Sequence, residues 1–140
     1  GLVGSEMCIR DRIDSVLANA KEDWIIVAGH HPIYAETPKD DSERLDMQKR
    51  LDPILRKHKV DMYICGHIHN FQHIRKAGSN IDYVVNSAGS LARKVKPTEG
   101  TVFCSPEPGF SIISADKKTL TLRMIDKKGN ILHTVTRNSQ

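Results

Sequence analysis

Two glycine–histidine turns carry the side chains of this sequence that are best suited to chemistry. The motif GHHP occupies positions 29–32, and the motif GHIH occupies positions 66–69. Imidazole nitrogens are good ligands for zinc, iron, copper and nickel ions. In an extended segment, His67 and His69 would lie on the same side of the backbone, about 6–7 Å apart. We therefore predict that His30, His67 and His69 are metal ligands.

The elements around these motifs are predicted to bring the two turns together. Residues 24–28 and 62–65 are short apolar runs that end at glycine, a pattern typical of buried strands. The polar stretch 41–58 suits a helix, which Pro53 is expected to kink or break. A strand, helix and strand in this order form a right-handed βαβ unit with parallel strands. The carboxyl ends of such strands share one edge of the sheet, where open α/β sheets bind their ligands.

Other polar residues near the turns have roles that the sequence leaves open. His31 is expected either to contact substrate or a metal ligand, or to pack into the fold. Asn70 is expected to orient the histidine pair, to bind substrate or to cap a turn. His31 and Asn70 are therefore candidate catalytic residues, whereas we expect structural roles for His58, His73 and His133.

The rest of the chain is predicted to contain one further helix and mostly antiparallel strands. The helix is predicted over 13–21, and the stretch 87–108, which carries Gly, Pro and Ser, is predicted to be a loop. Apolar or alternating runs bounded by turn residues predict the strands. These runs lie at 71–74, 81–86, 110–115, 119–125 and 131–136. The predicted fold class is α/β, with the βαβ unit followed by antiparallel strands.

The composition is that of one globular domain or a part of one. Of 140 residues, 39% are apolar and 27% are charged, and no apolar run approaches the roughly 18–20 residues of a membrane span. The net charge of +4 reflects late basic residues that form either a solvated face or a surface that attracts an anionic substrate. Few aromatic residues are interleaved with them, so we expect no nucleic-acid partner. Three cysteines are too few for a disulfide framework, and a bridge between Cys65 and Cys104 stays open.

The motifs also resemble those of a known family. VAGHHPIY (27–34) and YICGHIHNFQHI (63–74) resemble the last two metal motifs of the calcineurin-like metallophosphoesterase superfamily. Their spacing and the segment NSAGS (86–90) resemble the purple, tartrate-resistant acid phosphatase branch. The resemblance implies a fragment of a four-layer α/β/β/α metallophosphoesterase sandwich, in which two β-sheets are flanked by helices. It implies a metal-dependent phosphomonoesterase, with a phosphodiesterase or nucleotidase of the same superfamily as the alternative.

The resemblance implies ligand roles residue by residue. His30 and His67 would bind one metal ion and His69 the other, with two divalent or trivalent ions (Fe, Zn or Mn) in the intact enzyme. A hydroxide that bridges the ions would attack the phosphorus of the phosphate ester substrate. Some members carry another histidine in the loop that corresponds to 35–41, where this sequence has none; Lys39 and His31 are the candidates to take its place.

The resemblance also has gaps. The early motifs of the family, which supply an Asp, a bridging Asp with its nearby Tyr, and a Gly-Asn-His, are absent, and no Asp or Glu directly follows a predicted strand at the histidine edge. We therefore expect 13–140 to be the C-terminal half of a metallophosphoesterase domain, inactive without its N-terminal half. Residues 1–12, GLVGSEMCIRDR, resemble translated adapter DNA and are expected to be non-native. Family analogy favours a periplasmic or secreted protein. A non-catalytic domain that holds one ion by three histidines stays open as an alternative.

Overall fold

The apolar runs that precede the two glycine–histidine turns both form strands. The computed structural model describes residues 2–139, with side chains described from residue 8 onward. The elements in chain order are α1 (Leu2–Ala18), β1 (Ile26–Ala28), α2 (Ser42–Arg50), α3 (Asp52–Lys57), β2 (Met62–Cys65), β3 (Phe71–Ile74), β4 (Asp82–Val85), β5 (Thr101–Ser105), β6 (Gly109–Ala115), β7 (Thr119–Asp126) and β8 (Ile131–Asn138). None of the described helices combines the length and the hydropathy of a membrane span.

The first sheet has five strands in the order β1-β2-β4-β3-β5. Strand β2 pairs in parallel with both β1 and β4, while β3 pairs antiparallel with β4 and β5. Helices α2 and α3 connect β1 to β2, so the predicted βαβ unit is present. The helical stretch is divided as expected, because Pro53 stands in the first turn of α3, where its missing N–H is harmless.

Two stretches differ most from the sequence prediction. The stretch 87–108 is not all loop, because 101–105 form β5, which pairs along β3. The predicted loop was wrong here because a buried neighbouring strand satisfies the backbone of this Gly- and Pro-flanked segment. Helix α1 begins before position 13 and ends at Ala18, and it runs across the boundary between positions 12 and 13 without a break.

The second sheet is an antiparallel meander of β6, β7 and β8 that packs on the first sheet. Alternate residues of β7 point inward as its pattern predicts, and they form the core between the two sheets. This core contains Met62, Phe71, Val84, Leu120, Leu122, Met124 and Val135. A second core lies between the first sheet and the helices and includes Leu55, Val60, Tyr63, Ile68 and Tyr83. The described residues thus form three layers, in the order helices, sheet, sheet.

Each sheet has two edge strands without a partner on their outer side among the described residues, namely β1 and β5 in the first sheet and β6 and β8 in the second. Strands β1 and β6 form one pair of these edges. Apolar side chains are exposed along them, with Ile26 37% exposed, Ile113 44% and Phe110 50%. Ile26 and Ile113 line the same surface groove, so the two open strands lie beside each other.

Buried polar side chains also join the two sheets. Asp82 of β4 accepts hydrogen bonds from His73 (2.7 Å) and from Arg137 of β8 (2.8 Å). The second ring nitrogen of His73 lies 2.9 Å from the ring of His133 on β8. His73 and His133 therefore contact other residues of the two sheets and not the glycine–histidine turns. His58 likewise contacts Asp14 of α1, and Cys8, Cys65 and Cys104 are free.

Candidate metal centre

Backbone hydrogen bonds continue past the ends of β1 and β2 and hold the two glycine–histidine turns side by side. The Gly29 N–H donates to the Ile64 carbonyl (3.0 Å), and the Gly66 N–H donates to the His30 carbonyl (3.2 Å). The turns therefore lie at the carboxyl edge of the parallel strands. This edge is where the order of the chain predicts a ligand site.

Three imidazoles meet at this edge. One nitrogen of each of His30, His31 and His67 lies within 4.8 Å of the others. The ring centroids are 4.5–4.9 Å apart, and all three ring pairs are edge-to-face. The shortest contact joins Nδ1 of His67 to Nε2 of His30 at 3.1 Å. We call His30, His31 and His67 the histidine cluster.

The first glycine–histidine turn, residues 29–32, is held in place by a hydrogen bond from a buried tyrosine. The Tyr63 hydroxyl donates to the backbone carbonyl of His31 at 2.7 Å, and the Tyr63 side chain is 1% exposed. A Cβ atom on Gly29 would lie only 2.4 Å from the same hydroxyl, so any side chain at this position would displace the Tyr63 ring. The next two residues, Pro32 and Ile33, are buried and anchor the loop.

The second turn is more tightly wound than an extended segment. His67 and His69 have left-handed φ angles of 70° and 66°, and the Ile68 N–H donates to the Gly66 carbonyl at 2.8 Å. Ile68 between them is 1% exposed and packs into the core below the helices. The backbone thus curls around a buried isoleucine, and the same-side arrangement expected of an extended segment does not occur.

His69 lies outside the histidine cluster. Its Nδ1 is 3.1 Å from the Leu91 carbonyl, and its own carbonyl accepts a hydrogen bond from the Arg93 N–H at 2.8 Å. The structure therefore brings together two of the three predicted ligands, His30 and His67, and adds His31 to them.

Asn70 contacts a neighbouring polar network rather than the cluster. It is 1% exposed, its Oδ1 accepts from Gln72 at 2.8 Å, and its Nδ2 donates to the Lys94 carbonyl at 3.4 Å. The Gln72 amide in turn bonds both the N–H and the carbonyl of Glu36. Gln72 was not singled out in the sequence, because an amide within a strand carries no motif.

Two charged side chains contact the histidine cluster. The Lys39 ammonium donates to the His67 carbonyl at 3.2 Å, and Oε2 of Glu43 lies 2.7 Å from Nδ1 of His31. Burial lowers the pKa of His67, and the cationic charges of Lys39, His31 and His30 lower it further. A lowered pKa favours the neutral imidazole, which is the form that binds metal ions. Glu43 was missed in the sequence because it lies in the first turn of α2, outside both motifs.

The donor set fits a metal ion of intermediate softness. Three neutral imidazoles match zinc well, and also suit iron, copper and nickel. Within the described part of the chain, no carboxylate joins the three rings as a candidate ligand. The arrangement can hold one ion by nitrogen atoms, and a second ion would need donors from elsewhere.

The sequence shows the family of this chain. The model of the calcineurin-like phosphoesterases matches residues 4–71. Purple acid phosphatase 3 of Arabidopsis thaliana is 31% identical over 127 residues, which cover 86% of this chain and 34% of that protein. The chain belongs to the calcineurin-like phosphoesterase family. Within that family it falls in the purple acid phosphatase branch, as the two motifs predict.

Solved structures confirm the fold of this calcineurin-like chain. GAP50, the anchor in the inner membrane complex of Plasmodium, has a TM-score of 0.78 at 23% identity and covers 94% of this chain and 41% of its own. Purple acid phosphatase PPD1 from yellow lupin (Lupinus luteus) seeds has a TM-score of 0.71 at 18% identity. The match covers 91% of this chain and 28% of the lupin chain. The calcineurin-like chain spans about a third of the length of purple acid phosphatase 3.

Proposed function

We propose that this chain is part of a metal-dependent phosphomonoesterase of the acid-phosphatase type. The observation that supports this most is the contact of His30 and His67, whose ring nitrogens lie 3.1 Å apart at the carboxyl edge of two parallel strands. Two imidazoles from different turns converge there, and no buried partner among the described residues explains them as core residues. In the proposed enzyme, His30 and His67 bind one metal ion and His69 binds a second.

The residues of this chain have distinct tasks in that proposal. Metal ions supply Lewis acidity toward phosphoryl oxygens and an activated water. The Lys39 ammonium, which lies against the backbone of His67, attracts the phosphate dianion toward the same edge. Asn70 and Gln72 hold the loop around Glu36 beside the site. His31 either contacts the substrate or assists metal binding.

We further propose that residues 13–140 are the C-terminal half of a metallophosphoesterase domain and that residues 1–12 are non-native. The matched region makes up about a third of purple acid phosphatase 3, which is consistent with a partial domain. The carboxylate ligands would come from an N-terminal half that pairs with β1 and β6. The isolated chain is then expected to be inactive.

Hydrolysis of 4-nitrophenyl phosphate tests the function directly. The 140-residue chain with added Zn²⁺, Fe³⁺ or Mn²⁺ should show no turnover, and robust turnover would contradict its partial nature. Sequencing of the source DNA upstream of the Ile13 codon should reveal an Asp motif, a Gly-Asp and a Gly-Asn-His. A start codon with no such motifs would refute the two-metal enzyme.

A chimera provides the positive test. Residues 13–140 replace the matched third of Arabidopsis purple acid phosphatase 3, and the monoester is compared with bis(4-nitrophenyl) phosphate. We expect preferential monoester hydrolysis that His67→Ala abolishes and His58→Ala preserves. A folded, metal-loaded chimera that cleaves only the diester would support the phosphodiesterase alternative, and one that cleaves neither ester would refute the proposal.

The histidine cluster also favours a second candidate, a non-catalytic domain with one metal ion. Three imidazoles lie within 4.8 Å of one another without a carboxylate ligand among the described residues. Such a domain would bind one ion tightly, would need no further polypeptide, and would not hydrolyse either ester in the chimera.

A further inference from the structure

We propose that His31 is a metal ligand held in place by Glu43, so that this chain alone binds one Zn²⁺ through His30, His31 and His67. The inference rests on the metal centre of the proposed function but does not require hydrolysis. It assigns a ligand role to a histidine that the family motifs leave without one. It also gives α2 a part in the site through Glu43.

The distances between the rings allow this binding. Tetrahedral zinc with Zn–N bonds of about 2.0–2.1 Å places its nitrogen ligands roughly 3.3 Å apart. The three candidate nitrogens lie within 4.8 Å of one another, and the pair from His30 and His67 is already 3.1 Å apart. Side-chain displacements of roughly 1–2 Å would therefore close the set around an ion. The His31 ring, which is 37% exposed, has solvent beside it into which it can make this small movement.

Glu43 prepares His31 for binding. Its carboxylate lies 2.7 Å from Nδ1 of His31, so the Nδ1–H donates to it and the lone pair remains on Nε2. Ligating histidines almost always donate their other ring N–H in this way, which fixes the tautomer and raises the basicity of the ligand. The negative charge of Glu43 also offsets part of the charge of the ion.

The backbone of His31 is held as firmly as its ring. Tyr63 donates to the His31 carbonyl, and Tyr63 leaves no space for a side chain at position 29. Preorganisation of this kind lowers the entropy that is lost when the ligand atoms are ordered around an ion. His69 has a comparable contact from its Nδ1 to the Leu91 carbonyl, but its ring lies outside the histidine cluster.

Zinc affinity of the purified 140-residue chain, measured by competition with a chromophoric chelator, tests the proposal. We expect one Zn²⁺ per chain. Glu43→Gln should weaken binding by about 10–100-fold, the usual cost of losing such a partner, and His31→Ala should weaken it further. His58→Ala, at a ring that contacts Asp14 away from the histidine cluster, should leave the affinity unchanged. Asp46→Asn, which alters another exposed carboxylate of α2, is the matched control for Glu43→Gln.

X-ray absorption of the zinc-loaded chain counts the imidazoles independently. Three are expected in the wild type and two in His31→Ala, and circular dichroism verifies that each variant is folded. Unchanged affinity in folded His31→Ala, or an equal loss in His58→Ala, would overturn the proposal. Because no phosphate ester is present, intact zinc binding with an inactive chimera would refute only the proposed function.

Discussion

Nδ1 of His67 lies 3.1 Å from Nε2 of His30, although the two residues are 37 positions apart in the chain. Two imidazoles can share such a hydrogen bond only when at least one of them is neutral. The contact therefore joins the carboxyl ends of β1 and β2. A metal ion bound to both rings would take the place of the proton that the two imidazoles share.

Metal binding should stabilise the fold. At a free Zn²⁺ concentration of 100 times Kd, a ligand that binds only the native state raises the free energy of unfolding by about 2.7 kcal/mol. We expect a higher Tm with Zn²⁺ and its reversal by a chelator. His30→Ala should remove the response, whereas His58→Ala should retain it. An equal Zn²⁺ response in His30→Ala would argue against the histidine cluster as the binding site.

The Tyr63 hydroxyl should support metal binding as well as stability. Tyr63→Phe leaves the His31 carbonyl without its donor, which we expect to cost about 1–2 kcal/mol in urea unfolding. Zn²⁺ affinity should also fall several-fold, because the first turn is loosened.

Tyr83→Phe is the matched control for Tyr63→Phe. Tyr83 is the neighbour of Tyr63 in the sheet register, and its hydroxyl donates to Asp52 at 2.6 Å, away from the histidine cluster. The Tyr83→Phe variant should be less stable than the wild type and should keep its Zn²⁺ affinity. Equal loss of affinity in both variants would mean that Tyr63 acts only through general stability.

Asp82 should make the fold sensitive to acid. Burial alone would raise the pKa of Asp82, but hydrogen bonds from His73 and Arg137, with the nearby Arg75, lower it. Stability from this carboxylate is present above its unfolded pKa of about 3.9 and is lost as the pH falls below that value. Burial and the charge of His73 lower the pKa of His133, so its protonation below about pH 6.5 also favours unfolding.

Thermal unfolding from pH 3 to 8 measures both steps. Asp82→Asn at pH 7 should cost about 1.5–3 kcal/mol, because it removes the buried carboxylate that His73 and Arg137 contact, while Arg137 keeps its ion pair with Asp61. It should also flatten the decline of stability below pH 4. Asp46→Asn, at an exposed ion pair with Arg50, should change little. A steep decline below pH 4 that persists in Asp82→Asn would assign the acid sensitivity to other carboxylates.

The open strand β6 should promote self-association of the isolated chain. Unpaired backbone groups beside exposed apolar side chains form a template for strand pairing. We expect concentration-dependent oligomers in sedimentation experiments, and Ile113→Lys on the exposed inner face should reduce them. Leu45→Lys, which replaces an exposed apolar residue of α2, is the control for added charge. A wild-type chain that stays monomeric at high concentration would contradict this expectation.

Much of the fold follows from local patterns. The apolar runs at 24–28 and 62–65, the helical stretch and Pro53 predict the βαβ unit and the break between α2 and α3. The alternation of Leu120, Leu122 and Met124 predicts the inward face of β7. These features depend on short-range periodicity, which a sequence displays directly.

Other features depend on contacts that are distant in the sequence. Strand β5 forms because it pairs with the buried strand β3, and no pattern within 101–105 indicates this pairing. The approach of Glu43 to His31 depends on how α2 packs beside the first turn. The removal of His69 from the cluster depends on the burial of Ile68, which curls the second turn.

The left-handed φ angles of His67 and His69 lower the stability of the fold, while the two side chains place imidazoles at the sheet edge. A residue with a Cβ atom pays roughly 1–2 kcal/mol for this conformation, whereas glycine adopts it freely. Glycine at either position should therefore make the chain more stable while removing an imidazole from the sheet edge. Strain of this kind persists in proteins mainly where an activity retains it. The second turn would then be a place where natural selection has kept a less stable sequence for the sake of its ligands.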